Sequence, residues 1–125
     1  MRKTIFILLA FIGLSFSAHA QTALDLAVDN YTGATLSNIS FTSQVEMKTF
    51  TNIAPGGGAT GVLQLNLTED VTITFFYSTM PRGAVAKVYN TDLNIPDATF
   101  NVQPGLNIFQ LHAPISGGAI KVVIN

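Results

Sequence analysis

The chain has 125 residues, contains no cysteine, and carries six basic and seven acidic side chains. Without cysteine it can form no disulfide, no thiolate metal site and no lipoprotein thioether. Its basic residues form no cluster, which makes nucleic acid and anionic lipid poor partner candidates.

The first twenty residues predict a cleavable signal peptide. Arg2 and Lys3 form a short basic head, residues 5–16 are almost wholly apolar, and Ala18 and Ala20 supply small side chains just before the expected cut. The head and the cut site resemble those of bacterial proteins. A membrane anchor is the alternative, but a spanning helix needs about 20 apolar residues. We therefore expect a secreted or periplasmic protein with no membrane span after cleavage.

Removing these residues changes the charge and the size of the chain. Arg2 and Lys3 are two of the six basic side chains, so the mature chain from Gln21 keeps four against seven acidic ones. Its net charge is then about −3 at neutral pH. A chain of this length buries roughly 60–70% of its unfolded surface, which suffices for one core. We therefore expect one domain over residues 21–125.

The first predicted strand is residues 24–29. Apolar and polar side chains alternate there. This period of two puts Leu24, Leu26 and Val28 on the same face of the strand. Residues 30–33, Asn-Tyr-Thr-Gly, are typical of a turn.

The second predicted strand, residues 38–48, shows the same alternation. Its apolar face would hold Ile39, Phe41, Val45 and Met47. The segment is long for one strand, so we expect a bulge or a turn near Ser43.

Two further strands are predicted on either side of residue 70. After a break at residues 55–58, Pro-Gly-Gly-Gly, one face holds Gly61, Leu63, Leu65 and Leu67. Residues 71–77 are dense in β-branched and aromatic side chains, with a core face of Val71, Ile73, Phe75 and Tyr77. Phe76 then points to the opposite side beside threonines, where it either contacts a partner or is covered by a loop.

The remaining predicted strands are residues 85–93, 99–103, 106–111 and 119–125. The inward face of the first is unclear. Pro104-Gly105 separates the middle two, and Pro followed by Gly is typical of a type II turn because Gly accepts a positive φ.

Seven to nine short strands, with a turn signal roughly every 8–12 residues, are typical of a sandwich or a barrel. No segment of the mature chain has a persuasive helical period. We therefore predict an all-β fold, a single antiparallel β-sandwich that is immunoglobulin-like or related, preceded by the cleaved signal peptide.

The C-terminal residues carry one family resemblance. Residues 100–111 and 117–125 are similar to the closing strands of the β-sandwich sorting domains of type IX-secreted bacterial proteins. Those domains usually have Tyr where Asn107 stands, and they normally follow a larger passenger. The resemblance implies a sandwich that ends in a paired strand.

The groups that catalysis needs are sparse. His112, the one histidine of the mature chain, stands at a predicted strand end, where histidine is more often structural or solvated than catalytic. No Gly-x-Ser-x-Gly elbow, calcium loop or zinc spacing occurs. The acids are scattered, so a hydrolase with a carboxylate pair is the least favoured hypothesis. We expect no enzymatic activity, no metal and no cofactor.

Residues 52–61 contain three consecutive glycines and form the most unusual segment. They predict a flexible binding loop, an anion-binding nest or, as the favoured interpretation, a plain connection between two strands. The segment lacks the Lys-Ser/Thr pair that completes a phosphate loop.

Two functional hypotheses follow. The first is a small exported non-catalytic module that binds a protein or a carbohydrate, with candidate partner-binding residues Tyr31, Phe76 and Arg82. Arg82 belongs to a predicted turn at residues 80–83. The second is a subunit of a surface or extracellular assembly that self-associates through strand edges, because its neutral Thr- and Asn-rich strands carry few of the charges that guard edges.

Overall fold

The computed structural model describes residues 21–66, 68–79, 83–90, 94–112 and 118–125, which form two β-sheets. The strands are β1 (Gln21–Asn30), β2 (Leu36–Thr42), β3 (Met47–Ile53), β4 (Gly58–Asn66), β5 (Val71–Tyr77), β6 (Val85–Tyr89), β7 (Ala98–Asn101), β8 (Gly105–Leu111) and β9 (Ala119–Ile124). No helix in this part of the chain is long and apolar enough to cross a membrane. The all-β prediction is confirmed, and the two sheets are consistent with a β-sandwich.

The strand order is β4-β1-β9-β6-β7 in the five-stranded sheet and β3-β2-β5-β8 in the four-stranded sheet. Among the described residues β1 and β9 pair in parallel, with Leu26 opposite Ile120, and the other pairings are antiparallel. The expectation of a purely antiparallel sandwich is therefore wrong at this pair. Parallel neighbours need a crossover connection, which the strands between β1 and β9 provide.

The core lies between the sheets and follows the apolar alternation of the strands. The predicted inward faces of β1 and β5 are buried, from Leu24 to Val28 and from Val71 to Tyr77 at alternate positions. The other buried apolar strand residues are Leu36, Ile39, Phe41, Ile53, Leu63, Leu65, Ala86, Val88, Ile120, Val122 and Ile124. Leu67, which the sequence places on the inward face of β4, lies outside the described residues.

The predicted strand at residues 38–48 is in fact two strands joined by a turn. β2 ends at Thr42 and β3 begins at Met47, and the Ser43 amide donates to the Glu46 carbonyl at 2.9 Å. The turn near Ser43 is confirmed, but the placement of Val45 and Met47 on the core face is wrong, because both are exposed. The alternation of β2 ends at this turn. The side chains of β3 take their faces from the pairing of β3 with β2 and do not continue the alternation of β2.

Aromatic side chains pack between the two sheets on two opposite sides of the molecule. Beside β4, Phe50 packs so closely on Gly61 that a Cβ there would lie 2.8 Å from Phe50 Cζ, and this approach requires glycine. Phe50 also meets Phe41 edge to face, with ring centroids 6.2 Å apart. On the opposite side, Phe100 of β7 stacks on Phe109 of β8 with centroids 4.9 Å apart.

A buried polar cluster links the two sheets beside the end of β1. The Asn30 amide donates to the carbonyls of Ala34 and Ile53, both at 2.9 Å. Its Oδ1 accepts from the Thr32 hydroxyl at 2.7 Å and from the Tyr77 hydroxyl at 3.3 Å. Burial raises the pKa of Tyr77 above its ordinary value of 10.0. Buried polar groups are tolerated when they are hydrogen-bonded, as here.

The connection from β7 to β8 carries the chain from one sheet to the other. Gly105 has a φ of 78°, as the Pro104-Gly105 signature requires. The buried Asn107 side chain holds this connection, since its Oδ1 accepts from the Gln103 amide at 2.6 Å and its Nδ2 donates to the Gln103 carbonyl at 3.0 Å.

Candidate functional site

The outer face of the four-stranded sheet carries no charged side chain at its described strand positions. The strand register sets three rows of four side chains on this face. The rows are Thr51–Asn38–Phe76–Leu106, Thr49–Ser40–Thr74–Ile108 and Met47–Thr42–Thr72–Gln110, which together we call the neutral face. None of these residues is buried. They offer a partner hydroxyl, amide and apolar groups without charge.

Apolar side chains are concentrated at the β8 end of the neutral face. Phe76 is 38% exposed, Leu106 57% and Ile108 66%. Leu106 lies directly opposite Phe76, and Ile108 occupies the next outward position of β8. Isolated exposed apolar residues are ordinary, whereas adjoining ones are typical of interaction surfaces.

Sequence reasoning did not identify Leu106 and Ile108. Both alternate sets in β8 are largely apolar, with Leu106 and Ile108 on one side and Phe109 and Leu111 on the other. A period of two therefore does not distinguish the inward set. The residue that could have identified the inward set is Asn107. Its side chain points inward and hydrogen-bonds to Gln103, so its neighbours Leu106 and Ile108 point outward.

The outer face of the five-stranded sheet differs in charge. Its strands present Asp25, Asp29, Lys87 and Lys121, and Lys121 Nζ lies 3.6 Å from Asp29 Oδ2. A shallow groove of about 440 Å³ follows β1 and is lined by small side chains such as Ala27 and Ala119. The outer faces of the two sheets therefore differ in charge.

The structure places two of the three candidate partner-binding residues, Phe76 and Tyr31, at different sheets. Phe76 lies on the neutral face, with its ring pointing outward as the alternation of β5 predicts. Tyr31 is 61% exposed but directly follows β1 of the other sheet. Arg82 lies outside the described residues.

A polar cavity of about 410 Å³ lies beside the start of β5. It is lined by Gln44, Asn66, Thr68, Glu69, Asp70 and Gln110. The buried Glu69 carboxylate accepts from the main-chain amides of Gln44 at 2.8 Å and Asn66 at 2.7 Å. The two carboxylate oxygens of Glu69 thus join the main chain at Gln44 to the main chain at Asn66. This geometry is that of a structural carboxylate.

His112 lies at the surface near this cavity. Its Nδ1 is 3.3 Å from Asp70 Oδ2, and the histidine is exposed. An exposed histidine beside one carboxylate resembles a surface ion pair more than a general base with an aligned nucleophile. Within the described ranges, the histidine and acidic side chains form no group of three that could hold a metal ion.

The glycine-rich segment is short once the strands are defined. β3 ends at Ile53 and β4 begins at Gly58. The Gly56 amide donates to the Asn30 carbonyl at 2.7 Å, and the Gly57 amide donates to the Ala54 carbonyl at 2.9 Å. An anion-binding nest needs amides that point at the ligand, so the connection between strands is the interpretation that this geometry supports.

Fold and site together define an all-β protein of two sheets with one uncharged, partly apolar outer face. No protein-family model, no curated protein and no solved structure matches the chain.

Proposed function

We propose that this protein is an exported non-catalytic binding module and that the neutral face is its binding surface. The observation that carries the proposal is the cluster of Phe76, Leu106 and Ile108 on a face whose other side chains, apart from Met47, are hydroxyl and amide. Interfaces between proteins are depleted of charge at their centre and enriched in aromatic and apolar side chains.

The chemistry of the face favours a protein over a carbohydrate. Sugar rings stack on flat aromatic surfaces, whereas Leu106 and Ile108 are aliphatic and Phe76 is only partly exposed. A sheet face with Thr, Ser and Asn beside apolar side chains complements a protein surface of the same mixed character. The partner we infer is thus a protein with an uncharged, partly apolar contact patch.

The absence of catalysis is part of the proposal. Its support is the use made of the carboxylates, since Glu69 binds two main-chain amides and Glu46 accepts from the Gln64 amide at 2.7 Å. Asp97 accepts from the Asn90 amide at 2.6 Å. Carboxylates engaged in this way stabilise turns and edges.

Export with cleavage after Ala20 is likewise proposed. β1 pairs with β4 from its first residue, Gln21 opposite Asn66, so a cut farther along the chain would remove strand pairs. Expression of the full chain in a bacterium with an outer membrane should yield a periplasmic or secreted protein whose intact mass begins at Gln21. An uncut chain in the membrane fraction would contradict this.

The binding test compares two variants that add the same charge to different sheets. Thr74→Lys puts a charge in the middle of the neutral face, and Thr99→Lys puts one on β7, at an exposed position of the other sheet. Proteins of the exported fraction that bind wild type are purified, and their affinities are measured by calorimetry. We expect Thr74→Lys to weaken binding at least about tenfold and Thr99→Lys to leave it unchanged.

Equal binding of a purified partner to wild type and Thr74→Lys would contradict the proposed surface. Sedimentation with insoluble polysaccharides is the second arm. Binding there, without any protein partner, would replace the inferred class of partner with a carbohydrate.

A relation to immunoglobulin-like sandwiches is proposed on topology. Its support is one pairing: β2 lies beside β5, as the second and fifth strands do in the ABED sheet of immunoglobulin constant domains, whereas the outer strands of this sheet are β3 and β8. An experimental structure that changed this pairing would remove the support.

The second candidate function is a subunit of a surface assembly joined through strand edges. The observation that favours it is the composition of β8, an edge strand of seven residues without charge.

A further inference from the structure

The two sheets end in four edge strands, β4 and β7 in one sheet and β3 and β8 in the other. An open edge presents main-chain donors and acceptors to any other strand, and proteins guard such edges with charges, side-chain caps or short strands. In the part of the chain that the structure describes, three of the four edges carry at least one of these protections.

The edge of β4 is capped by side chains. The Gln64 amide donates to Glu46 Oε1 at 2.7 Å, and the Gln64 carbonyl accepts from the Ser43 hydroxyl at 2.6 Å. Farther along, the Asn66 amide donates to Glu69 Oε1 at 2.7 Å. The main chain of this edge is thus already hydrogen-bonded at Gln64 and Asn66, in the last third of the strand.

The edges of β3 and β7 are guarded differently. Lys48 of β3 lies opposite Phe41, on the core-facing side of the strand, and its Cε approaches the position that a Cβ on Gly61 would take. A charge that points inward at an edge strand disfavours pairing with another sheet. β7 is only four residues long, which gives a second strand little to pair with.

β8 has none of these protections in the described part of the chain. Its seven residues, Gly105–Leu111, include no charged residue and no proline. Their outward side chains at Leu106 and Ile108 are largely exposed. Such a segment is typical of a strand that pairs with another chain.

We propose that β8 is a self-association site, at which two copies pair β8 with β8 in antiparallel orientation across a twofold axis at Ile108. Only this register uses all seven residues, because Ile108 is the middle of the strand. It places Ile108 opposite its own copy and Leu106 opposite Gln110 of the second copy. The two four-stranded sheets become one sheet of eight strands.

A second copy fits this edge better than an unrelated strand for reasons of charge and symmetry. The net charge of the protein is small, so salt screens the repulsion between two copies, and β8 itself carries no charge. In the proposed β8–β8 register, no charged residue of one copy lies opposite a like charge of the other. Because pairing about a twofold axis uses the β8 edge of both copies, it stops at two copies and does not continue into a fibre.

The inference deepens the proposed function, because the dimer merges two neutral faces into one continuous surface. The two proposals fail separately. A monomer that still binds its partner through the neutral face would overturn only the dimer. A dimer that binds no partner would overturn only the binding function.

The first test measures the mass of the mature protein in solution by sedimentation over a concentration series. We expect a monomer–dimer equilibrium for wild type. Ile108→Lys sets two like charges opposite each other at the axis and should weaken dimerisation at least about tenfold. Thr99→Lys adds the same charge at the β7 edge and should leave the equilibrium unchanged. Circular dichroism and the thermal midpoint of each variant establish that it is folded.

Charge complementation makes the test specific for the axis. Ile108→Lys and Ile108→Glu should each be monomeric alone and should form a mixed dimer when combined. A wild type that stays monomeric throughout, variants that dimerise as wild type does, or assemblies larger than two would each overturn the proposal.

Disulfide crosslinking gives a readout that does not depend on charge. The protein has no cysteine of its own, so an introduced cysteine can form a disulfide only with the same cysteine of the second copy. Directly opposed residues of an antiparallel pair have Cα atoms about 4.5–5.5 Å apart, which is within the range of a disulfide. Ile108→Cys should therefore oxidise to a covalent dimer, whereas Thr99→Cys should stay monomeric. Equal crosslinking of both variants would overturn the assigned axis.

Discussion

Ile73 lies in the middle of β5 and is completely buried, while its neighbours Thr72 and Thr74 point outward. The protein has no disulfide to compensate for lost packing. Ile73→Ala should therefore leave a cavity and lower the free energy of unfolding by about 2–5 kcal/mol, measured by chemical denaturation. Thr72→Ala is the matched control on the opposite face and should change stability by less than about 0.5 kcal/mol. A cost that small for Ile73→Ala would mean that the faces of β5 are reversed.

Tyr77 makes stability depend on alkaline pH. Burial raises the pKa of its phenol above 10.0, so the folded protein keeps the proton to higher pH than the unfolded chain does. Below pH 10 both states are protonated, and the contribution of this group to stability is fully present. As the pH rises above about 10 the unfolded state loses its proton first, and the free energy of unfolding falls.

Tyr77→Phe tests this dependence. The variant should lose about 0.5–1.5 kcal/mol at neutral pH, because the hydrogen bond to Asn30 is removed. The decline in its stability above pH 10 should be shallower than that of wild type. Tyr31→Phe, at an exposed tyrosine, is the matched control and should change the stability at neutral pH by less than about 0.5 kcal/mol. Parallel slopes for wild type and Tyr77→Phe would contradict the assignment.

At the scale of the elements, the packing of β3 on β4 depends on one glycine. Gly61→Ala would bring a Cβ to 2.8 Å from Phe50 Cζ, and Phe50 is held on its other side by Phe41. We expect a loss of about 1–3 kcal/mol from overpacking, measured by denaturation. Gly33→Ala is the matched control, since a Cβ there meets no atom within 4 Å.

A double variant shows whether the ring is the cause of that loss. In the background of Phe50→Leu, the cost of Gly61→Ala should shrink, because the shorter side chain leaves room for the methyl group. Residues in contact show such coupling, and distant ones do not. Additive costs would mean that the effect of Gly61→Ala arises elsewhere, for example from the backbone of β4.

At the scale of the whole molecule, stability should be independent of redox state and of metal. The chain has no cysteine, and the described residues contain no group of three possible metal ligands among histidine and acidic side chains. Neither a reducing agent nor a chelator should change the thermal midpoint of the mature protein in calorimetry. A midpoint lowered by the chelator would reveal an oxygen-ligand metal site, and one lowered by the reductant would have no explanation in this chain.

The strands themselves were predictable because local patterns define them. Alternation fixes the inward faces of β1 and β5, since one face of each strand is apolar, from Leu24 to Val28 and from Val71 to Tyr77, and the other contains polar side chains. Gly105 could be assigned a positive φ because few other residues accept it at that position of a turn. These features depend on neighbours in the chain, and a sequence by itself determines them.

Tertiary structure decided what depends on residues far apart in the chain. The parallel pairing of β1 with β9 joins residues about a hundred positions apart, and no local pattern encodes it. Met47 alternates in step with the core residues of β2, yet the turn before it moves it to the outer face. In β8 both sets of side chains are largely apolar, and the stacking of Phe109 on Phe100 together with the inward hydrogen bonds of Asn107 selects the buried set. Leu106 and Ile108 are exposed for that reason, because a strand can bury only one of its faces in a two-sheet core.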